Sequence, residues 1–221
     1  MKRKVFSLMM GLILAFTGLV RADELTVYDG TTSVGQLPLY GYWADNYTRS
    51  QYVIPAADLS AMAGAQITGL QYYQYGASAS SADWGCDYYV YLTEVSNTTM
   101  SSLVARSSAT TVFTGHLAAV NGGMTVTFDT PYNYQGGNLL IGMDNLAPGT
   151  YISYSWAATY VDYAAGYYQY GSSGSTNSSY YIPKTTFTYS GGGSAPCPLT
   201  MAPDSADFGY RPNNCWMRPM V

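Results

Sequence analysis

Cations are scarce in this chain. Only nine Lys and Arg occur in 221 residues, and four of them fall within the first 21. The remainder sets five cations against all 13 acidic residues, a balance of −8. Such a surface repels phosphate backbones and anionic headgroups, which excludes nucleic acid and acidic membranes as partners. Histidine is rarer still: His116 is the only one. A Ser-His-Asp hydrolase would have to use it, yet no GxSxG elbow is present. Glu24 and Glu94 are the only glutamates, and Glu24 lies near the start. A carboxylate pair for glycoside hydrolysis would therefore have to come from aspartates. Neither a DxDxDG calcium loop nor a CxxC or Cys/His zinc spacing occurs. No catalytic motif is left, so the chain is expected to be non-catalytic.

Cysteine is limited to Cys86, Cys197 and Cys215. The last two stand close enough in sequence to pair as a disulfide, leaving Cys86 free, and an inert buried thiol accounts for it. Long apolar runs are also missing, apart from Val5 to Val20, which is too short for a membrane span. Preceded by Lys2, Arg3 and Lys4 and followed by Val20-Arg21-Ala22, it has the layout of a secretory signal peptide over 1–22. Cleavage is expected before Asp23. With no cysteine there to carry a lipid and no further apolar span, the mature chain is expected to be secreted or at the cell surface, without membrane insertion.

What the chain has is tyrosine, 24 of them, together with 23 glycines and many hydroxyls. This is the composition of strands separated by tight turns. Met124, Val126 and Phe128 alternate with threonines, and Ile152, Tyr154 and Trp156 repeat the pattern. Asp87 to Val95 and Lys184 to Tyr189 read as further strands. Asn138 to Met143 is continuously apolar, as a strand covered on both faces would be. Turns fall at Asp29-Gly30, Asn121-Gly122-Gly123, Gln135-Gly136-Gly137 and Pro148-Gly149. One segment, Pro55 to Ala63, has helical signals. The polar stretch Gly171 to Ser179 reads as a mobile loop. An antiparallel β-sandwich over 23–189 follows, with a Gly/Ser linker at 190–196 and a proline-rich tail at 197–221.

The candidate sites are aromatic. Tyr40, Tyr42, Trp43 and Tyr47 cluster early. Tyr72, Tyr73, Tyr75 and Trp84 flank a loop of small residues, and Tyr160, Tyr163, Tyr167, Tyr168 and Tyr170 cluster late. Adjacent tyrosines in a strand point to opposite faces, so some rings must face solvent, where they suit sugar faces or extended peptides. The ligand-binding candidates are Tyr72, Tyr73, Tyr75, Trp84, Tyr163, Tyr167, Tyr168 and Tyr170. The competing reading is that tyrosines pave a core short of aliphatics. For a calcium ion bridging loops, Asp29 and Asp144 are the candidates, against a role as turn caps.

Several phrases resemble a recurrent module of secreted surface proteins from anaerobic gut and oral bacteria. They are Tyr40 to Tyr42, Ser50 to Leu59, Ile67 to Leu70, Tyr91 to Thr99, Met124 to Pro131, Asn138 to Gly142 and Ile182 to Tyr189. The resemblance is to the jelly-roll sandwiches of adhesin and haemagglutinin-like proteins. It implies a binding or adhesion module that engages host or cell-surface glycans or proteins, with no catalytic residues to carry over. Pro203 to Pro219 resembles the first strand of a following Ig-like domain. A carbohydrate-binding accessory or glycan-active domain and a purely structural spacer are the alternatives.

Overall fold

The computed structural model describes residues 22–192. The expected signal peptide but for its last residue, the tail with Cys197 and Cys215, the Ig-like phrase and most of the linker lie outside the described residues. No helix of the described residues is long and apolar enough to cross a membrane.

The described residues form thirteen strands in order: β1 (Asp23–Val27), β2 (Thr32–Val34), β3 (Thr48–Ile54), β4 (Ala65–Tyr73), β5 (Ala82–Val95), β6 (Thr110–Ala119), β7 (Gly123–Asn133), β8 (Asn138–Asn145), β9 (Trp156–Tyr160), β10 (Gly166–Tyr170), β11 (Thr176–Ser179), β12 (Tyr181–Pro183) and β13 (Thr185–Gly191). They form a four-stranded sheet β1-β13-β4-β7, a six-stranded sheet β11-β10-β3-β8-β5-β6 and a small sheet β12-β9-β2. The strands pair antiparallel throughout. The protein is thus an all-β sandwich, as the alternating sequence requires.

Period-2 patterning builds the core directly. Met124, Val126 and Phe128 of β7 face inward with Leu70, Tyr72 and Phe187. Tyr52 and Ile54 of β3, Leu139 and Ile141 of β8, and Tyr88 and Val90 of β5 meet them from the six-stranded sheet. Burying this apolar surface is the main term favouring the fold. The turn Asn121-Gly122 joins β6 to β7 with both residues at positive φ (51° and 81°), the geometry a tight hairpin demands and Asn-Gly supplies.

The apolar run of β8 is covered on both sides, as its composition implies. Its inward residues join the main core, while Leu140 joins Val53, Tyr91 and Met100 in a second cluster on the outer face. The segment between β5 and β6, through Met100 and Val104, folds back to close that face.

The helical segment expected at Pro55 to Ala63 is the 3₁₀ helix Ala56–Met62, with Leu59 and Met62 buried. Three expectations need correction. Tyr151 to Ser155 is outside any strand, since β9 begins at Trp156, although Tyr154 and Trp156 are buried as the alternation implied. Within the polar stretch, Thr176–Ser179 is a strand paired with β10. It lies at the sheet edge with three of its four residues exposed, so its polarity reflects solvation of both faces rather than a lack of order. The β13 ladder also runs on to Gly191, two residues into the stretch read as linker.

Candidate binding surface

At the end of the six-stranded sheet where β3 begins and β8 and β10 finish, the early and late aromatic clusters meet. The 3₁₀ turn Gly41–Trp43 carries two rings outward. Tyr42 packs edge-on against Tyr151 (4.9 Å between centroids), and Trp43 lies 5.6 Å from Tyr151 and 5.0 Å from Tyr170. Behind them Tyr40 meets Tyr168 edge-on at 5.1 Å. With Tyr47, five of these rings are between 36% and 46% exposed, so they form a surface and not a core. Edge-to-face contact stiffens the rings against one another and leaves the remaining faces free to stack.

The scaffold beneath is built from small residues and one buried amide. Gly41 packs so closely on the Trp84 indole that a Cβ would collide with its ring nitrogen. Gly149 is pressed equally closely on the Trp84 carbonyl and the Cys86 sulfur. Asn145, the last residue of β8, donates to the carbonyls of Asn46 (2.7 Å) and Ala44 (3.4 Å) and accepts from the Thr48 amide (2.7 Å). Gly149 N–H donates to the Ala44 carbonyl at 2.6 Å, and Asn46 Nδ2 donates to the Tyr170 hydroxyl at 2.9 Å. The patch therefore sits on a pinned frame. Its phenols also interact: hydrogen bonds from Tyr151 and Ser153 hold Tyr42 below the usual phenol range, and the bond to Tyr42 pushes Tyr151 up to about 12.

Comparison with protein families, curated proteins and solved structures finds no match for this chain. The reading of the surface rests on its own chemistry.

The eight aromatic candidates are not one site. Tyr72 and Trp84 are fully buried, which corrects the expectation that they bind a ligand. They fall on the inward register of β4 and β5, where Trp84 packs with Tyr154 and Trp156. Tyr73 is half-buried, its hydroxyl 2.7 Å from Thr186 Oγ1 and its ring under Lys184. Tyr75 is exposed at the end of β4. Tyr163 packs on the main core and Tyr167 on the outer-face cluster. Only Tyr168 and Tyr170 join the patch. Tyr151 was missed as a site residue, although its place opposite the buried phase of Ile152, Tyr154 and Trp156, just after Pro148-Gly149, marked it as outward.

The calcium candidates part company too. Asp29 pairs with Lys184, and Asp144 lies 3.2 Å from Arg49 Nε and accepts from the Tyr91 hydroxyl at 2.7 Å. Each carboxylate thus meets a cation of the fold. Among the described residues no group of three His, Cys, Asp or Glu side chains converges to hold a metal. Glu94 accepts from the Gln135 and Gly137 amides (2.7 and 2.6 Å), where it stabilises the turn before β8. His116, on β6, stands half-exposed between Asp83 (3.0 Å) and Asp87 (3.9 Å) of β5.

Proposed function

We propose that this chain is an exported, non-catalytic binding module of a secreted or cell-surface adhesin, and that it grips glycans or proteins through the aromatic patch. The observation that carries the reading is the cluster of Tyr42, Trp43, Tyr151 and Tyr170, exposed and linked ring to ring, with Tyr47 exposed as well, around a frame held by Asn145. Rings in contact with one another lose little further freedom on binding, and their faces suit the apolar side of a sugar or an extended peptide. One such patch binds weakly. Attachment then comes from several copies acting together, as on a cell surface. The basic and apolar leader and the likeness to jelly-roll adhesin modules support export and the surface role.

The test is an array of glycans and host matrix proteins, probed with the purified protein with and without calcium. Saturable binding that falls at least tenfold in the Tyr42→Ala/Trp43→Ala/Tyr151→Ala variant is the expected result. No binding to any array member would favour the spacer reading. One observation speaks for that alternative: the largest fully buried side chains are mostly aromatic, Trp84, Trp156, Tyr52, Tyr72, Tyr88, Tyr91 and Tyr134 among them, so packing accounts for part of the tyrosine content.

A further inference from the structure

We infer that the cleft beside the patch is a subsite for an acidic sugar, one whose carboxylate or sulfate oxyanion is held by Arg106 and Arg49. The inference rests on the glycan reading of the patch and adds the charge of the ligand. The cleft has a volume of about 310 Å³, and its lining includes Tyr47, Arg49, Tyr89, Arg106, Asp144 and Ser172. Tyr47 also belongs to the patch, and Gly171, next to Ser172, donates to the Tyr47 carbonyl at 2.7 Å, so the two surfaces are continuous.

Charge singles this cleft out. The described residues carry three Lys and Arg side chains against 11 Asp and Glu, and two of the three cations meet here. The one carboxylate in the lining, Asp144, is already engaged by Arg49 and by the Tyr91 hydroxyl. Two guanidiniums against one carboxylate leave the cleft a net positive charge. Arg49 uses Nε on Asp144 and Nη2 on the Val104 carbonyl (3.3 Å), which leaves three of its five N–H donors. Arg106 is the freer of the two. Its guanidinium carbon lies 3.7 Å from the centroid of the Tyr89 ring, and it makes no ion pair with an acid among the described residues.

A guanidinium held over an aromatic face is positioned by the cation–π contact, while its N–H groups stay available for a planar oxyanion. Ser172, which is exposed, lines the same cleft, and its hydroxyl suits the neutral hydroxyls of a sugar ring. By contrast, a second concave surface of about 470 Å³, around Tyr73, Val120 and Thr125, has no charged side chain in its lining. The overall negative charge then acts as a filter: a polyanion is repelled, whereas a single acidic residue on a glycan is accepted at one point.

The experiment titrates the purified protein with a neutral oligosaccharide, the same oligosaccharide carrying one sialic acid, the same carrying one sulfate, and a short glutamate peptide. At low ionic strength one of the two acidic saccharides should bind at least tenfold tighter than the neutral one, and which of them wins separates carboxylate from sulfate. That advantage should shrink with added salt. Arg106→Ala should remove it without changing binding of the neutral saccharide, and Arg106→Lys should keep part of it. Should Arg106→Ala not fold, Arg106→Lys and the salt profile of the native protein decide the question. Equal binding of neutral and acidic saccharides, or an acidic preference that survives Arg106→Ala, overturns the subsite and leaves the patch reading standing. A glutamate peptide that binds tighter than both acidic saccharides also overturns it. Failure of every saccharide to bind overturns the subsite together with the glycan reading on which it rests.

Discussion

Asn145 Nδ2 donates to the carbonyl oxygen of Asn46 at 2.7 Å, and this bond ties the end of β8 to the loop that carries Trp43 and Tyr47. The same side chain accepts from the Thr48 amide, and only 6% of its surface is exposed. A single buried amide thus couples the stability of the sheet to the shape of the patch.

Asn145→Ala should destabilise the protein by about 2–4 kcal/mol, because it strips partners from the Thr48 amide and the Asn46 carbonyl in a place where water replaces them poorly. Urea denaturation measures the loss. Hydrogen exchange at Thr48 should rise by more than the global change accounts for, since the loop opens locally. Unchanged protection at Thr48 would mean that the loop is held by its other contacts.

Gly41→Ala should cost about 1–3 kcal/mol through overpacking against the Trp84 indole. The same substitution at Gly142, where the Tyr91 ring crosses the glycine, should cost a similar amount. The two differ in what they disturb. Gly41→Ala should also weaken ligand binding, because the displaced turn carries Tyr42 and Trp43, whereas Gly142→Ala acts on the Asp144 network. Thermal denaturation together with a binding titration separates the two effects.

Burial holds the Asp144 carboxyl above its ordinary range, against the opposing pull of Tyr91 and Arg49. A carboxyl with a raised folded pKa binds its proton more tightly in the folded state. Its contribution to stability is therefore fully present below the unfolded pKa and is lost as pH rises through the folded one. Melting temperatures should show this decline from about pH 4 upward, starting at the ordinary aspartate value of 3.8, and Asp144→Asn should flatten that part of the curve. A native profile that the substitution leaves unaltered would show that Asp144 does not titrate in this window.

Strands whose two faces differ were legible because side chains alternate: Met124, Val126 and Phe128 are buried where the pattern puts them. The continuous run of β8 was legible as a doubly covered strand, and Asn121-Gly122 as a hairpin turn. The edge strand Thr176–Ser179 was not, because solvent on both sides leaves no apolar signature to read. Nor was the role of Tyr72 and Trp84. Tyrosine and tryptophan serve core and surface alike, and which of the two applies depends on the register of β4 and β5 against their neighbours.

The sequence by itself determined an all-β sandwich short of positive charge, because alternation, turn chemistry and ionisable composition act locally or as sums over the chain. Only the tertiary structure decided which tyrosines form a surface. Trp43 and Tyr170 lie far apart in the chain but 5.0 Å apart in space, and Arg49 and Arg106 line one cleft from separate segments. Such convergence is set by strand order and by the packing of glycines against Trp84 and Tyr91. Neither leaves a trace in the local pattern of residues.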